Sequence, residues 1–280
     1  MLRIGRIAYA NCTPVFSALQ NSYPCDGYQF VSGVPARLNV MLAAGSIDVC
    51  PSSSYEYALH HDRYLILPQL SISCETAVGS VLLFSRVPLE ELNGRTILLS
   101  SESATSVNLL RILLAKRYGF DCRYSLHTSS FDDALKNAQA LLLIGDAALK
   151  ESLHASGLHI YDLGQLWFEW TGLPFVFALW LCHRTSGVEK FDEVATLAER
   201  LVASKDSARN NLQAIAERSD DSVWMGVDRL VTYWRENISY DLEDRHMLGL
   251  KLFFRYCAEL GLLETEPPLH FFVIKSRKDR

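Results

Sequence analysis

Side chains with hydroxyl and amide groups recur where buried strands are predicted to end. Tyr9, Asn11 and Thr13 follow an apolar segment near the start of the chain. Two hydroxyl-rich segments, 51–54 and 100–106, follow later apolar segments. In open α/β sheets, ligands bind at the carboxyl ends of strands, and the N–H groups of a helix that begins there attract anions. The pattern therefore indicates a site for a small polar or anionic molecule.

Helix capping is the alternative explanation for the same side chains. Thr13 followed by proline is a favourable helix start, and one serine of segment 51–54 would suffice to cap the next helix. Asp146 could cap the helix that follows the apolar run 140–144, where Gly145 would let a ligand approach the backbone closely. At these positions the residues alone leave capping and ligand binding both open.

Alternating strand and helix patterns predict the elements that carry these side chains. The uninterrupted apolar run 140–144 is typical of a central parallel strand. A proline-containing crossing near residue 86 precedes a new strand at 96–99, and a second crossing precedes the apolar strand 173–181. The sequence therefore predicts an α/β fold with two crossovers and a ligand cleft between two lobes. Residues 1–86 and 175–280 form lobe I, which includes the C-terminal helices, and residues 87–174 form lobe II.

Composition and charge argue against several classes of partner and cofactor. The chain has 280 residues, is 49% apolar and carries a net charge of −5. Nothing in this balance indicates nucleic acid or an anionic membrane surface as a partner, and no apolar run is long enough to span a bilayer. Metal-ligand clusters, phosphate-binding loops and GxGxxG motifs are absent from the sequence, so we expect neither a metal nor a nucleotide cofactor.

The cysteines indicate the compartment. The sequence has seven cysteines, an odd number, and none has CxxC spacing. Free thiols in a reducing environment explain this pattern best. The chain begins directly with a predicted strand and not with a signal peptide. We therefore expect a cytoplasmic protein, as a monomer or a homodimer.

An ordered set of short motifs spans residues 3 to 181. Its most specific part is the aromatic run 167–180, with Trp167, Trp170 and Trp180. The other motifs are 3–7 with Tyr9 and Asn11; Gly33, Pro35, Leu38 and Asn39; Gly45, Ile47 and Asp48; Ser53, Ser54, Glu56 and Tyr57; Ser80, Val81, Phe84 and Ser85; Thr105, Ser106, Leu109 and Leu110; and 142–146. In this order they resemble the chorismate dehydratase family of the futalosine route to menaquinone. That family is a cytoplasmic branch of the two-lobed periplasmic-binding-protein type II fold. Cys12 and Thr13 depart from its pattern, in which bulkier residues follow the asparagine.

The resemblance implies an enzyme that removes water from chorismate, a dicarboxylate, and forms 3-[(1-carboxyvinyl)oxy]benzoate without a cofactor or a metal. It implies Asn11 as the catalytic residue, whose amide orients the reacting ring or the leaving hydroxyl. The substrate-binding residues that it implies are Tyr9, Ser53, Ser54, Ser80, Thr105, Ser106, Gly145, Asp146 and Thr171. Ser53 or Ser54 would bind carboxylate together with the other hydroxyl groups, and Gly145 would offer its backbone.

The sequence leaves the proton acceptor and two rival functions open. Glu56, Asp146 and His127 are candidate bases; alternatively, the side-chain carboxylate of the substrate itself takes the proton from ring carbon 3. One rival function is that of the sister enzyme that makes 1,4-dihydroxy-6-naphthoate, which depends on a histidine in the second lobe. The other rival is a cytoplasmic protein that binds a small carboxylate without turnover, since a fold alone does not establish catalysis.

Overall fold

The computed structural model describes residues 1–127 and 130–274 and contains two five-stranded sheets. The strands are β1 (Leu2–Ile7), β2 (Tyr28–Gly33), β3 (Val49–Ser53), β4 (Tyr64–Cys74), β5 (Val81–Ser85), β6 (Thr96–Leu99), β7 (Arg123–Leu126), β8 (Ala140–Ile144), β9 (His159–Asp162) and β10 (Phe175–His183). The helices are α1 (Thr13–Ser22), α2 (Pro35–Ala43), α3 (Ser54–Leu59), α4 (Ala104–Ile112), α5 (Phe131–Asn137), α6 (Gly145–Ser152), α7 (Leu163–Thr171), α8 (Arg184–Glu189), α9 (Phe191–Asn210), α10 (Leu212–Ala216), α11 (Ser222–Met225), α12 (Val227–Thr232) and α13 (Asp244–Glu259). Helices α4 and α12 each continue into a π-helical turn, Leu113–Arg117 and Tyr233–Asn237.

The two sheets share one topology. The first has the strand order β2-β1-β3-β10-β4, and the second has the order β7-β6-β8-β5-β9. Strand β1 is parallel to β2 and β3, and β6 is parallel to β7 and β8. Strands β10 and β5 run antiparallel to both of their neighbours, and each is the strand that follows a crossing between the sheets. This arrangement confirms the predicted two-lobed α/β fold.

The first crossing lies earlier than the sequence predicts. Strand β5 pairs with β8 and β9 in the second sheet, so the chain leaves the first lobe between Cys74 and Val81 and not near residue 86. All residues of β5 are buried, as expected for a central strand, and Pro88 only precedes a short 3-10 turn inside the second lobe. The chain returns to the first sheet at Phe175. Residues 275–280, which were assigned to lobe I, lie outside the described part of the chain.

Two polar segments of the first lobe also differ from the prediction. The N-cap of α1 is Cys12 and not Thr13, because a 3-10 turn, Ala10–Cys12, leads directly into the helix. Thr13 Oγ1 instead donates to Asp221 Oδ2 at 3.1 Å. The predicted loop after residue 50 is the end of β3, since Ser52 and Ser53 pair with β10. Polar side chains at this edge are therefore fixed by a sheet and not by a loop.

The C-terminal helices pack on the first lobe. Helix α13 carries Phe253 against Phe175 of β10, with ring centroids 5.1 Å apart. Phe254, on the same helix, stacks on Tyr57. Such aromatic contacts bury large apolar areas and favour offset or edge geometry. Within residues 1–127 and 130–274, no helix is long and apolar enough to cross a membrane.

Candidate active site

A cavity lies between the two lobes where strands of both sheets end. The space between the lobes here, including the part open to solvent, is about 550 Å³. Its lining residues are Ile7, Tyr9, Asn11, Pro35, Ser53, Ile72, Val78, Ser80, Val81, Ser103, Ser106, Ile144, Gly145, Phe177 and Ala178. The lining therefore combines an apolar surface with hydroxyl groups and one amide. Tyr9, Asn11, Ser53, Ser80, Ser106 and Gly145, all implied by the resemblance, meet here.

The amide of Asn11 is the polar group of this cavity that the protein leaves unpaired. Asn11 lies in the 3-10 turn Ala10–Cys12, which follows β1. Its backbone carbonyl accepts a hydrogen bond from the hydroxyl of Tyr240 at 2.7 Å, and the neighbouring carbonyl of Ala10 accepts one from Trp234 Nε1 at 2.8 Å. Asn11 Oδ1 is buried and has no hydrogen-bond partner among the described residues. A fixed backbone and an unpaired buried oxygen suit a side chain that binds a ligand, because an unpaired buried polar atom is otherwise costly.

Ser53, Ser54 and Thr105 form a hydroxyl network that joins the lobes. Ser53 Oγ lies 2.6 Å from Thr105 Oγ1, and Ser54 Oγ lies 3.3 Å from the same atom. Thr105 Oγ1 also accepts from the backbone N–H of Tyr55 at 3.0 Å, and Ser54 Oγ donates to the carbonyl of Val176 at 2.9 Å. Ser53 lines the cavity, whereas Ser54 and Thr105 do not. The hydroxyls of Ser54 and Thr105 therefore make contacts within the protein, and their role in ligand binding stays a prediction.

The start of α4 adds two serines to the cavity wall. Ser103 is the N-cap of this nine-residue helix, and its Oγ accepts from the N–H of Ser106 at 3.3 Å. The two side-chain hydroxyls lie 3.2 Å apart. N-terminal N–H groups and hydroxyls at one helix end favour negative charge. This wall is therefore suited to a carboxylate.

Gly145 lines the cavity, but its amide is not available to a ligand. Its N–H donates to the carbonyl of Ser80 at 2.7 Å, so the predicted backbone contact between Gly145 and a ligand would have to involve other atoms. Gly145 has a φ of +61°, a conformation that glycine adopts without strain. Its lack of a side chain leaves room for the ring of Tyr9, which lies on the opposite lobe.

Two acidic side chains of the second lobe hold the turn that carries Tyr9 and Asn11. The hydroxyl of Tyr9 donates to Glu102 Oε2 at 2.9 Å, and the N–H of Ala10 donates to Asp146 Oδ1 at 3.1 Å. Burial raises the pKa of Tyr9 strongly, and the nearby Glu102 carboxylate adds to the effect. Burial also raises the pKa of Asp146. Asp146 does not line the cavity, and it does not cap its helix through a hydrogen bond. Its carboxylate instead binds the first lobe.

The remaining predicted residues are not among those that line the cavity. Thr171 Oγ1 donates to the carbonyl of Trp167 at 2.9 Å and accepts from the N–H of Leu173 at 3.2 Å, so it terminates α7 and does not line the site. Glu56 accepts from the hydroxyl of Tyr64 at 2.9 Å. Neither Glu56 nor His127 lines the cavity. Among the described lining residues, Tyr9 is the one ionisable side chain.

Sequence reasoning missed several groups that support the site. Ser103 lay inside the predicted hydroxyl-rich segment, and Phe177 lay inside the aromatic motif, so both had a signal. Tyr233 and Tyr240 had none, because they lie in a helical region far along the chain. In the part of the chain that the structure describes, no group of three or more His, Cys, Asp or Glu side chains could hold a metal ion.

Two α/β lobes around a cavity at their strand ends define the class of proteins with the two-lobed periplasmic-binding-protein fold. The periplasmic aliphatic sulphonate-binding protein of Escherichia coli is one solved structure of this kind, with a TM-score of 0.64, 13% identity and coverage of 99% of this chain and 95% of that one. A family model described as menaquinone biosynthesis matches residues 2–259. The chain belongs to this menaquinone biosynthesis family.

Two curated relatives carry a more specific name. Chorismate dehydratase of Thermus thermophilus is 33% identical over 266 residues, covering 89% of this chain and 93% of the relative. Chorismate dehydratase of Campylobacter jejuni is 28% identical over 264 residues, covering 92% of this chain and 98% of the relative. Both similarities extend over most of this chain.

Proposed function

We propose that this protein is a chorismate dehydratase, a hydro-lyase that converts chorismate to 3-[(1-carboxyvinyl)oxy]benzoate and water in the futalosine route to menaquinone. The family membership and the two curated relatives support this activity. The structural observation that carries the proposal is the interlobe cavity, in which an unpaired amide and several hydroxyls face an otherwise apolar wall. None of the described lining residues carries a carboxylate. This suits a dianionic substrate, because a carboxylate in the cavity wall would repel the negative charges of the substrate.

The reaction needs orientation and hydrogen bonding more than a strong acid or nucleophile. Water leaves as the hydroxyl of ring carbon 4 and the proton of ring carbon 3, and the aromatic product provides a large driving force. The amide of Asn11 orients the ring or binds the departing hydroxyl. Ser53, Ser80, Ser103 and Ser106 bind the two carboxylates. Holding the reacting atoms in place and stabilising developing charge with fixed dipoles are the main sources of rate in such a site.

The proton acceptor in this proposal is the side-chain carboxylate of the substrate. Glu56, Asp146 and His127 all lie outside the cavity lining, and a general base must come within about 3 Å of the proton it removes, directly or through one water. Tyr9 stays protonated because burial raises its pKa. The proposal therefore assigns proton removal from ring carbon 3 to the substrate's own side-chain carboxylate.

A cytoplasmic location fits the cysteines of the protein. All seven are free thiols, and six of them, all but Cys25, are buried. Free thiols persist where the surroundings are reducing. We propose that the enzyme acts there on a small molecule that is also soluble in the cytoplasm.

The rival activity of 1,4-dihydroxy-6-naphthoate synthesis is less well supported. It depends, by the resemblance, on a histidine of the second lobe, and the described cavity lining contains no histidine. A binding protein without turnover would share the cavity and the fold. Product formation separates it from an enzyme.

The deciding experiment is to incubate the purified protein with chorismate in the presence of EDTA and without added nucleotide. We expect chromatography and mass spectrometry to reveal an aromatic enolpyruvyl ether that has lost one water. Unchanged chorismate in the presence of folded protein would contradict the proposal. Turnover of a futalosine-derived substrate would then favour the sister enzyme, and a raised melting temperature with carboxylates alone would favour a binding protein.

A further inference from the structure

The segment 233–240 packs directly behind the cavity and contacts both of its walls. Trp234 and Tyr240 donate to the carbonyls of Ala10 and Asn11, as described above. Asn237 Nδ2 donates to the carbonyl of Ala77, in the first crossing, at 3.2 Å. The segment starts in a π-helical turn, a rare feature that is frequent at functional sites. It therefore supports the turn of Asn11 and the crossing next to Ser80 together.

Tyr233 differs from its neighbours because it contacts a side chain of the cavity. Its hydroxyl donates to Ser80 Oγ at 2.9 Å. Tyr233 is only 3% exposed and does not line the cavity itself. Burial raises the pKa of Tyr233 strongly, so its hydroxyl keeps its proton and remains a donor.

The backbone of Ser80 is fixed on both sides. Asp162 accepts from the N–H groups of Val78 at 3.0 Å and Gly79 at 2.6 Å, and the carbonyl of Ser80 accepts from Gly145 at 2.7 Å. With the backbone fixed, the main remaining degree of freedom of Ser80 is the rotation of its side-chain hydroxyl. Its internal acceptor among the described residues, the carbonyl of Val78, lies 3.5 Å away, at the edge of hydrogen-bond distance.

We propose that Tyr233 is a positioning residue that makes the Ser80 hydroxyl a hydrogen-bond donor toward the substrate. Because Ser80 Oγ accepts a hydrogen bond from the hydroxyl of Tyr233, its own O–H group is directed to the cavity. There it donates a hydrogen bond to an oxygen of the substrate. The acceptor is a carboxylate oxygen or the leaving hydroxyl of chorismate. This inference rests on the proposed dehydratase function and adds a residue outside the cavity to it.

A double-mutant cycle of Tyr233→Phe and Ser80→Ala tests the inference. Phenylalanine keeps the ring and removes the donor, and we expect kcat/KM to fall about tenfold, the ordinary loss for one hydrogen bond. In the Ser80→Ala background the same change should have almost no effect, because Tyr233 acts through Ser80. A merely structural role would give the same fold-loss in both backgrounds.

Two control variants separate positioning from packing. Tyr161→Phe removes a tyrosine hydroxyl of β9 that accepts from the N–H of Leu89 at 2.8 Å, away from the cavity, and should leave kcat/KM unchanged. Asn237→Ala weakens the same segment without touching Ser80, so its effect should be independent of Ser80→Ala. If Tyr233→Phe does not fold, 3-fluorotyrosine at position 233 keeps the shape and changes only the donor strength, and its effect should again vanish with Ser80→Ala.

Equal losses in both backgrounds, or no loss for Tyr233→Phe, would overturn the positioning role while the dehydratase assignment stands. If the wild type does not turn over chorismate, the proposed function fails separately. The cycle is then measured on the dissociation constant of chorismate by calorimetry. Coupling between positions 233 and 80 in that constant would support the positioning role, and its absence would contradict it.

Discussion

The ring of Tyr9 lies directly against Gly145 on the opposite lobe: a Cβ at position 145 would come within 3.1 Å of Tyr9 Cδ2. Strand β1 and the start of α6 can approach this closely because residue 145 has no side chain. The hydrogen bonds from Tyr9 to Glu102 and from Ala10 to Asp146 surround this contact. Gly145 therefore sets the separation of the lobes at the cavity.

We predict that Gly145→Ala weakens substrate binding. The added methyl group meets the Tyr9 ring, so the lobes must move apart and the walls of the cavity separate. The positive φ of residue 145 adds a stability cost of about 1 kcal/mol. Steady-state kinetics should give a KM raised by about tenfold, the equivalent of about 1.4 kcal/mol.

Gly157→Ala is the matched control for this prediction. Gly157 also has a positive φ, of +75°, but a Cβ there meets no atom within 4 Å. The Gly157→Ala variant should lose about as much free energy of unfolding as Gly145→Ala and should keep the KM of the wild type. An unchanged KM for Gly145→Ala would contradict the proposed role of this contact.

We predict that Asn11→Ala removes most of the activity and leaves the fold intact. Its Oδ1 has no partner in the described protein, so alanine breaks no internal side-chain hydrogen bond, while the substrate loses an orienting dipole. The expected fall in kcat is about a hundredfold to a thousandfold. Asn21→Ala, at an exposed position of α1, is the control. Wild-type kcat in Asn11→Ala would remove this residue from the mechanism.

We predict that the three candidate bases are individually dispensable. Glu56→Gln, Asp146→Asn and His127→Gln should each keep kcat within about tenfold, because none of these side chains lines the cavity and a base must reach the proton. Asparagine at position 146 can still accept from the N–H of Ala10. Turnover and chorismate binding are measured for each variant. A collapse of kcat with intact binding in any one of them would refute proton removal by the substrate itself.

We predict that Asp48 contributes stability that disappears in acid. Its buried carboxylate accepts from Arg3 Nη2 at 2.7 Å, Ser186 Oγ at 2.7 Å and Lys190 Nζ at 2.8 Å. Burial alone would raise the pKa of Asp48, but these hydrogen bonds outweigh it and lower the pKa well below its usual value. The stabilisation is therefore present above about pH 4, the unfolded value, and is lost as the pH falls toward the folded value.

Urea unfolding of the wild type and Asp48→Asn measures this effect. At neutral pH we expect the variant to lose about 2 kcal/mol, because the half-buried Arg3 and Lys190 and the buried Ser186 lose the charged acceptor that they share. The difference between the two proteins should shrink below about pH 4. Asp133→Asn, at an exposed position, should be close to the wild type. A difference that stays constant with pH would show that Asp48 acts through packing alone.

Strand periodicity and the polar residues at strand ends predicted two lobes with a cleft between them. These features are local, so the sequence carries them directly. The family resemblance, and not the periodicity, implied Asn11, Ser53, Ser80 and Ser106 as site residues. The position of the first crossing was not predictable in this way. A continuous apolar run such as 81–85 indicates a buried strand, but its burial pattern is the same in either sheet.

The contacts that Thr105, Asp146 and Thr171 make within the protein could not be predicted from the sequence, for a physical reason. Hydroxyls and carboxylates bind protein groups and ligands equally well, and only the three-dimensional partners decide between them. Tyr233 escaped detection because it contacts Ser80 across 153 residues of sequence. Partners at such a distance leave no spacing pattern that a single sequence could reveal.

The position of β10 between β3 and β4 has a consequence for synthesis on the ribosome. The first sheet lacks an inner strand until residue 183 has been made, whereas all strands of the second sheet lie between residues 81 and 162. The second sheet, within residues 81–162, can therefore form while the first sheet still lacks β10. Because contacts between distant residues form slowly, the N-terminal half depends longest on protection from aggregation during translation.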